Sequence, residues 1–572
     1  MTTTTTTEDN RIAEMEESMN TFFILINSFV IFFLQGGFAF LEAGSVRSKN
    51  TTNILIKNIL DCLIGAMAFW MFGYMIANSS GNAFMGLDIN YICLYGLDAS
   101  HFANWFFGFV FCATASTIVS GAVAERCELT AYFVYSTLIS TIVYPVVVHW
   151  AWTSEGWLSV NGYYDFAGSG VVHHLGGVCG LMGAIFLGPR IGRFDADGKV
   201  TDTLKGHSVS LAALGAFILM FGFFSFNGST NAAVASEEDR NIVQRAVLNT
   251  VIGGTSSGFI TLITFRFSDP KKWSLLNTIN GTLCGMIATC AFCNAAQPWM
   301  TFVVGIVAAF IYKVVHHTVI WFRIDDPLDA FAVHSGGGMV GVLAAPFVIG
   351  EGGVFSAEDS VTAMHQIWSQ VVGLLVITAW SASISSLIFY ILKLNNKLRL
   401  AEEVEIAGCD IIKHGEAAYP AEAWVEAQYG QGLPLPPNMR SRTHTPFNIE
   451  NLGVEESENE KNQQSTWDKL KSKMYKTNEK VSSDVTVTPL TFKKLSEDQD
   501  KADSLSSSTD DSGSIHCKTD VLSGVVNNGF DGPEDIGNHD ESLYEKLPEV
   551  DPTLSPLDDM VSDEINNSVA NN

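Results

Sequence analysis

Two short stretches hold the residues best equipped for chemistry. "DFAGSGVVHHLGGVCG", from Asp165 to Gly180, carries His173 and His174, and "DPLDAFAVHSGGGMVG", from Asp326 to Gly341, carries His334. Aligned on His173 and His334, they share the pattern D-x7-H-x2-GG-x2-G at a separation of 161 residues. Imidazole is the side chain that gains or loses a proton near neutrality. Two neutral imidazoles that face each other share one proton, which makes one nitrogen a donor and its neighbour an acceptor. Such a pair suits a small polar molecule or a proton relay. A lone histidine in an apolar run more often bonds neighbouring backbone. Matched positions in two stretches shift the reading to function, because ionisable residues inside a membrane mark functional sites by default. His174 has no histidine counterpart, since Ser335 stands there, and it turns about 100° away on a helix. It reads as a packing or hydrogen-bonding residue.

The elements that must position these residues are long and apolar. A hydrocarbon core of about 30 Å takes about 20 helical residues to span. Eleven stretches qualify, near 21–44, 53–77, 103–124, 129–150, 168–188, 208–229, 243–266, 275–293, 299–321, 332–350 and 364–393. The predicted fold is an all-α polytopic membrane protein of eleven transmembrane helices. The histidine motifs open spans five and ten. They are offset by five spans, an odd number, so the second half enters the membrane from the opposite side. That is an inverted five-helix repeat, an architecture of many transporters, with the eleventh helix peripheral to it. If each aspartate begins its helix, eight residues place each histidine about 12 Å from its own side. The two then differ in depth by about 6 Å in a core of about 30 Å.

Charge orients the chain. With "SVRSKN" in the cytoplasm, the inner loops and helix ends hold 16 Lys and Arg residues and the outer side holds 3, as the positive-inside rule asks. The N-terminus is then extracellular and the C-terminus cytoplasmic, in a multi-pass cell-membrane protein. Asn78 opens the outer-loop sequon "NSS". Residues 1–20 form a short extracellular N-terminus without the basic, apolar layout of a secretory signal. Residues 21–395 form the membrane domain, 396–433 an ordered cytoplasmic segment and 434–572 a disordered acidic tail.

The whole chain of 572 residues has a formal net charge of −27. Residues 1–399 contribute −7 and residues 400–572 contribute −20. Without a basic patch, nucleic acid is excluded as a partner. The tail is poor in aromatic residues and rich in Ser, Asp and Glu, a composition that does not build a core. Its "SLSSSTDDSGS" offers sites for kinases or regulatory proteins. The ten cysteines form no CxxC pair and no zinc spacing, so they read as small buried hydrophobes. No HExxH-type motif accompanies the histidines, and no metal or cofactor is expected.

These residues also carry a resemblance. "DFAGSGVVHHLGGVCGLMGAIFLGPR" is similar over its whole length to the signature of the ammonium transporter (Amt/MEP/Rh) family. "FLEAGSVRSKNTTNILIKN", "GAVAER", "FNGS", "DDPLDAFAVHSGGG" and "GCDIIKHGEAAY" agree as well, on the Amt side. The resemblance covers roughly residues 20–420. It implies a transporter rather than an enzyme, with eleven spans, an outside N-terminus, a homotrimer and one pore in each protomer. Phe111 and Phe226 match the stacked rings that close the outer pore. Trp152 matches the aromatic of the outer vestibule, and Thr230 falls where bacterial members have a serine hydroxyl. Asp165 matches the carboxylate just below that site, and His173 and His334 match the twin pore histidines. Phe223 stands where bacterial members have tryptophan, a departure that bears on affinity at the outer site. The "GCDIIKHGEAAY" segment matches one that packs under the cytoplasmic face.

The implied chemistry suits those side chains. Ammonium is a cation with four N–H donors. Trp152 offers a π face and Thr230 an acceptor oxygen. Deprotonation yields small neutral ammonia, which passes an apolar gate, and the histidines then hydrogen-bond the ammonia and relay the proton. Asp165 reads mainly as a helix cap with an electrostatic effect on the cation above it. An electroneutral ammonia or gas channel of the Rh type and an ammonium sensor remain open alternatives.

Overall fold

The computed structural model describes residues 2–268, 272–350 and 352–420. The acidic tail and residues 421–433 of the expected cytoplasmic segment lie outside the described residues. Ten helices among the described residues are long and apolar enough to cross a membrane. These are α1 (Asn10–Ser45), α2 (Ser48–Asn78), α3 (Ala99–Ala122), α4 (Leu129–Val160), α5 (Ser169–Leu187), α6 (Val209–Gly228), α7 (Glu237–Ser268), α9 (Pro298–Trp321), α10 (Phe331–Val348) and α11 (Ser360–Leu394). The other expected span, 275–293, is the shorter helix α8 (Leu275–Thr289), of 15 residues. No strand occurs among the described residues, only isolated bridges. Without water, a spanning segment must satisfy its own backbone, and helices do so. The chain is an all-helical, multi-pass membrane protein.

Several boundaries depart from expectation. The helix containing α1 starts at Thr2, well before the apolar run at Thr21. It therefore extends through polar, acidic sequence that hydropathy assigns to a tail. Helix α8 stops at Thr289 and turns continue to Ala295. The backbone groups freed by that stop are used. Phe166 N–H donates to Ala291 O at 3.1 Å and Ala167 N–H to Cys290 O at 2.8 Å. Ser169 Oγ donates to Ile287 O at 2.7 Å and accepts from Ala291 N–H at 2.8 Å. The short helix thus docks the non-helical stretch Asp165–Gly168. As a result, helix α5 does not begin at Asp165 but at Ser169, after Gly168 turns at φ +98°. Likewise α10 begins at Phe331, five residues after Asp326. The aspartates precede their helices, so the regular eight-residue rise assumed from sequence does not apply.

Both histidine motifs also depart from regular α-helix in the same way. Ser169–His174 and Phe331–Ser335 are π-helical turns that continue into α-helix at Leu175 and Gly336. A π turn is wider than an α turn and shifts the side chains that follow it, and such turns often mark functional sites. The two motif helices pack closely because glycines face the partner. A Cβ on Gly177 would lie 2.7 Å from the Ser335 backbone nitrogen, and one on Gly338 would lie 2.9 Å from His174 Cβ. Small residues play this part between membrane helices.

Helix α11 packs on α5 and α10. Its most apolar window is the least buried of the ten. Leu375, Leu387, Tyr390 and Leu394 on it are exposed, as are Phe217 and Phe221 on α6. Apolar surface of this extent suits a lipid environment.

At one end of the bundle a buried ionic cluster ties the loops together. Glu125 pairs with Arg47 at 2.9 Å and with Arg190 at 2.6 Å. Arg190 reaches Asp325 at 2.8 Å, and Arg193 reaches the same carboxylate at 3.2 Å. Burial opposes ionisation of Glu125, yet Arg190 and Arg47 hold its carboxyl at about 2. Asp325 is held well below the usual carboxylate range by Arg126 and Arg190 against the same penalty. The segment after α11 seats on this end. Glu405 accepts from Ile191 N–H at 2.8 Å and from Arg399 Nη2 at 2.9 Å. Asp410 accepts from Thr52 and Asn53 N–H, both at 3.0 Å, at the start of α2. A carboxylate there meets both the free N–H groups and the positive helix end.

Candidate functional site

The predicted residues form a column of aromatic rings. Its first member, Trp152, ends the regular helix of α4, and its Nε1–H donates to Asp165 O at 2.7 Å. Its ring meets Phe111 of α3 edge-on, with centroids 6.2 Å apart. Phe111 stacks on Phe226 of α6 at 4.0 Å and 25°. Both rings are buried, so no water-filled gap separates them. Phe226 lies 5.4 Å from the His173 ring. His173 lies 5.4 Å from His334 at 22°, with Nδ1 to Nδ1 at 3.2 Å. Phe38 of α1 closes the series, 6.0 Å from His334.

That Nδ1–Nδ1 contact requires one hydrogen between two nitrogens. One imidazole donates from Nδ1 and the other accepts there, so the two rings hold opposite tautomers. His173 Nε2 is buried and has no partner in the protein. An unpaired buried nitrogen is costly unless something else bonds it.

Asp165 is a backbone cap in full. Its Oδ1 accepts from Gly168 N–H at 3.1 Å and Ser169 N–H at 2.8 Å. Its Oδ2 accepts from Gly170 N–H at 2.8 Å and Val171 N–H at 3.0 Å. Burial pushes its pKa up, and those four donors oppose the shift. The capping part of its reading therefore matches the geometry. Thr230 is half-buried, and its hydroxyl donates to Phe226 O at 2.8 Å. Its hydrogen is used on backbone, which leaves an oxygen lone pair to accept. Thr230 joins the column only through that Phe226 carbonyl.

Two aromatic residues, Phe223 and Phe38, lie beside the histidines without having been placed there from sequence. Phe223 stacks on His173 at 5.4 Å and 26°. Its place is therefore with the histidine pair rather than with the Trp152 group whose affinity the sequence connects to it. The signal was present in spacing, since Phe223 and Phe226 sit three apart on α6 and share a face. Phe38 gave no such signal, because its partner His334 lies in the other half of the chain.

The comparisons with known proteins identify the family. Residues 21–419 match the Ammonium Transporter Family. The chain belongs to that family. Putative ammonium transporter 1 of Caenorhabditis elegans is 44% identical over 436 residues, covering 73% of this chain and 80% of the relative. Ammonium transporter Amt2 of Archaeoglobus fulgidus is 35% identical, covering 72% and 89%. Among solved structures, the Sensor Amt Protein aligns with a TM-score of 0.66 and 30% identity over 70% of this chain and all of that one. Mep2 of Candida albicans aligns at 0.61 and 24%, over 68% and 88%, a likeness of fold. The family match ends at Tyr419, where the described residues also end, one position on.

Proposed function

We propose that this chain is an ammonium transporter that deprotonates its substrate and conducts ammonia. The observation that carries the reading is the buried His173–His334 contact at 3.2 Å, set directly behind the stacked Phe111 and Phe226 rings. A dry aromatic gate resists a bare cation and admits a neutral molecule. Trp152 meets the cation through its π face, and Thr230 accepts from one of its N–H groups. One N–H bond of ammonium then breaks: its electron pair stays on nitrogen, and its proton goes to His173 Nε2, the open acceptor when His173 Nδ1 carries the shared hydrogen. Neutral ammonia passes the rings and hydrogen-bonds the unpaired His173 Nε2. The proton travels separately across the imidazole pair, so net charge moves. The members named above as relatives are called ammonium transporters, which supports the substrate.

In this reading Trp152 faces outward, the Arg190 cluster lies in the cytoplasm and the N-terminus is extracellular. Eleven helices cross, with α8 and its turns serving as the eighth, and three copies assemble. Uptake and current in a cell lacking its own ammonium transporters test the mechanism. His173→Ala and His334→Ala should each lower current at least tenfold. Normal current in both would refute the relay, and uptake without current in the unaltered chain would favour an electroneutral channel. The likeness to a Sensor Amt Protein supports one further reading, ammonium sensing through the segment seated on the cytoplasmic face. Signalling that survives in a variant with no flux would favour it.

A further inference from the structure

His174, which transport leaves unused, forms a second bridge between the two motifs. Its Nδ1 lies 2.9 Å from Ser335 Oγ, and its Nε2 lies 2.7 Å from Thr378 Oγ1 on α11. Ser335 follows His334 as His174 follows His173, so this contact has the same 161-residue separation as the histidine pair. The hydrogens can be assigned by count. Thr378 has one hydroxyl hydrogen, already donated to Leu374 O at 2.7 Å. At His174 it must accept, so Nε2 carries the ring hydrogen. A neutral imidazole then accepts at Nδ1, and Ser335 donates. None of these side-chain polar atoms is left without a partner, in contrast to His173 Nε2.

We propose that His174 is a positioning residue. Held as one tautomer by Thr378, it accepts from Ser335 and locks the two π turns at the angle that brings His173 and His334 together. A π turn has a weaker internal register than an α turn. Two parallel bonds across adjacent residue pairs fix the register, because rotating either turn by one residue breaks both. The bridge also makes α11 part of the relay's support. A structural histidine that only filled space would tolerate loss of either hydroxyl.

The inference rests on the relay reading above. The test is a double-mutant cycle in full-length chain, with current and ammonium uptake normalised to surface copies. Ser335→Ala and Thr378→Val should each lower current about tenfold and change the charge moved per ammonium, because the relay loses geometry before the gate does. Both act through one imidazole, so the double variant should be no worse than the worse single. Thr378→Ser should restore the current. Wild-type current in both singles, or a double variant that falls by the product of the singles, would overturn the bridge. If Thr378→Val fails to reach the surface, His174→Asn and His174→Gln decide. Asn keeps a group near Nδ1 for Ser335 and Gln keeps one near Nε2 for Thr378, so Asn should retain more current. The opposite order would overturn the proposal. Failure of the relay itself is distinguishable, since His173→Ala would then keep normal current.

Discussion

Asp165 and Asp326 occupy the same place in the two halves, eight residues before a histidine, yet their environments differ. Both carboxylates are buried. Asp165 has all four of its strong acceptor directions filled by backbone N–H groups of the turn that follows. Asp326 accepts from Phe331 N–H at 2.8 Å through Oδ2, and its Oδ1 has no partner. A proton on Asp165 would have to displace a backbone bond, whereas a proton on Asp326 has an open oxygen. Burial, with the neighbouring Asp329 charge, pushes the Asp326 carboxyl up to about 6 against the Phe331 and Ala330 N–H donors. The repeat thus keeps the residue and divides the task. One carboxylate builds a turn, and the other sits where a proton is easily gained or lost.

The largest effect should come from Asp165→Asn. The change removes the charge and turns an NH2 group toward N–H donors, leaving at least two buried backbone donors unpaired. Each unpaired donor costs about 1–3 kcal/mol. Uptake should fall to background, and thermal unfolding of the purified protein should come several degrees lower. Uptake above one tenth of the original would break the claim that Asp165 holds the π turn bearing His173.

Much of this contrast was legible in sequence only as symmetry. The spacing from aspartate to histidine to glycine pair placed both motifs, and the structure brings His173 and His334 together. The hydropathy of α5, α6 and α10 located the helices to within two residues. The widened turns were not legible, because a π turn uses the same residue types as an α turn and depends on tertiary bonding. Nor was the early end of α8, where apolar "CAFCNAA" continues as turns because Phe166 and Ala167 take its carbonyls. The open Oδ1 of Asp326 depends on the path of one peptide, which periodicity does not encode. His174 reads from sequence as either packing or hydrogen bonding, and the choice depends on a partner, Thr378, that lies 204 residues away.

A smaller effect, in shape rather than size, should follow from Asp326→Asn. The amide keeps an oxygen for Phe331 N–H and puts an NH2 at the open position, so folding and maximal uptake should change less than threefold. The pH dependence should change more. A carboxyl whose folded pKa is raised, from 3.8 to about 6, stabilises the fold most when protonated. Its contribution is complete below pH about 4 and is lost as pH rises through about 6. Thermal stability of the original chain should therefore decline between those values, and Asp326→Asn should flatten that decline. An unchanged slope would remove the distinction between the two carboxylates.

The smallest effect should come from Tyr163→Phe. The phenol lies 3.5 Å from Asp165 Oδ2, at the edge of hydrogen-bond range. If the four backbone donors alone define Asp165, removing the hydroxyl should change stability by no more than about 0.5 kcal/mol and uptake by less than twofold. Melting temperature and uptake together check this. A loss comparable to that of Asp165→Asn would mean that the phenol, not the turn, holds the carboxylate. The contrast would then lie in the presence of Tyr163 beside one motif, rather than in the four bonds that the backbone of the first motif supplies to its own aspartate.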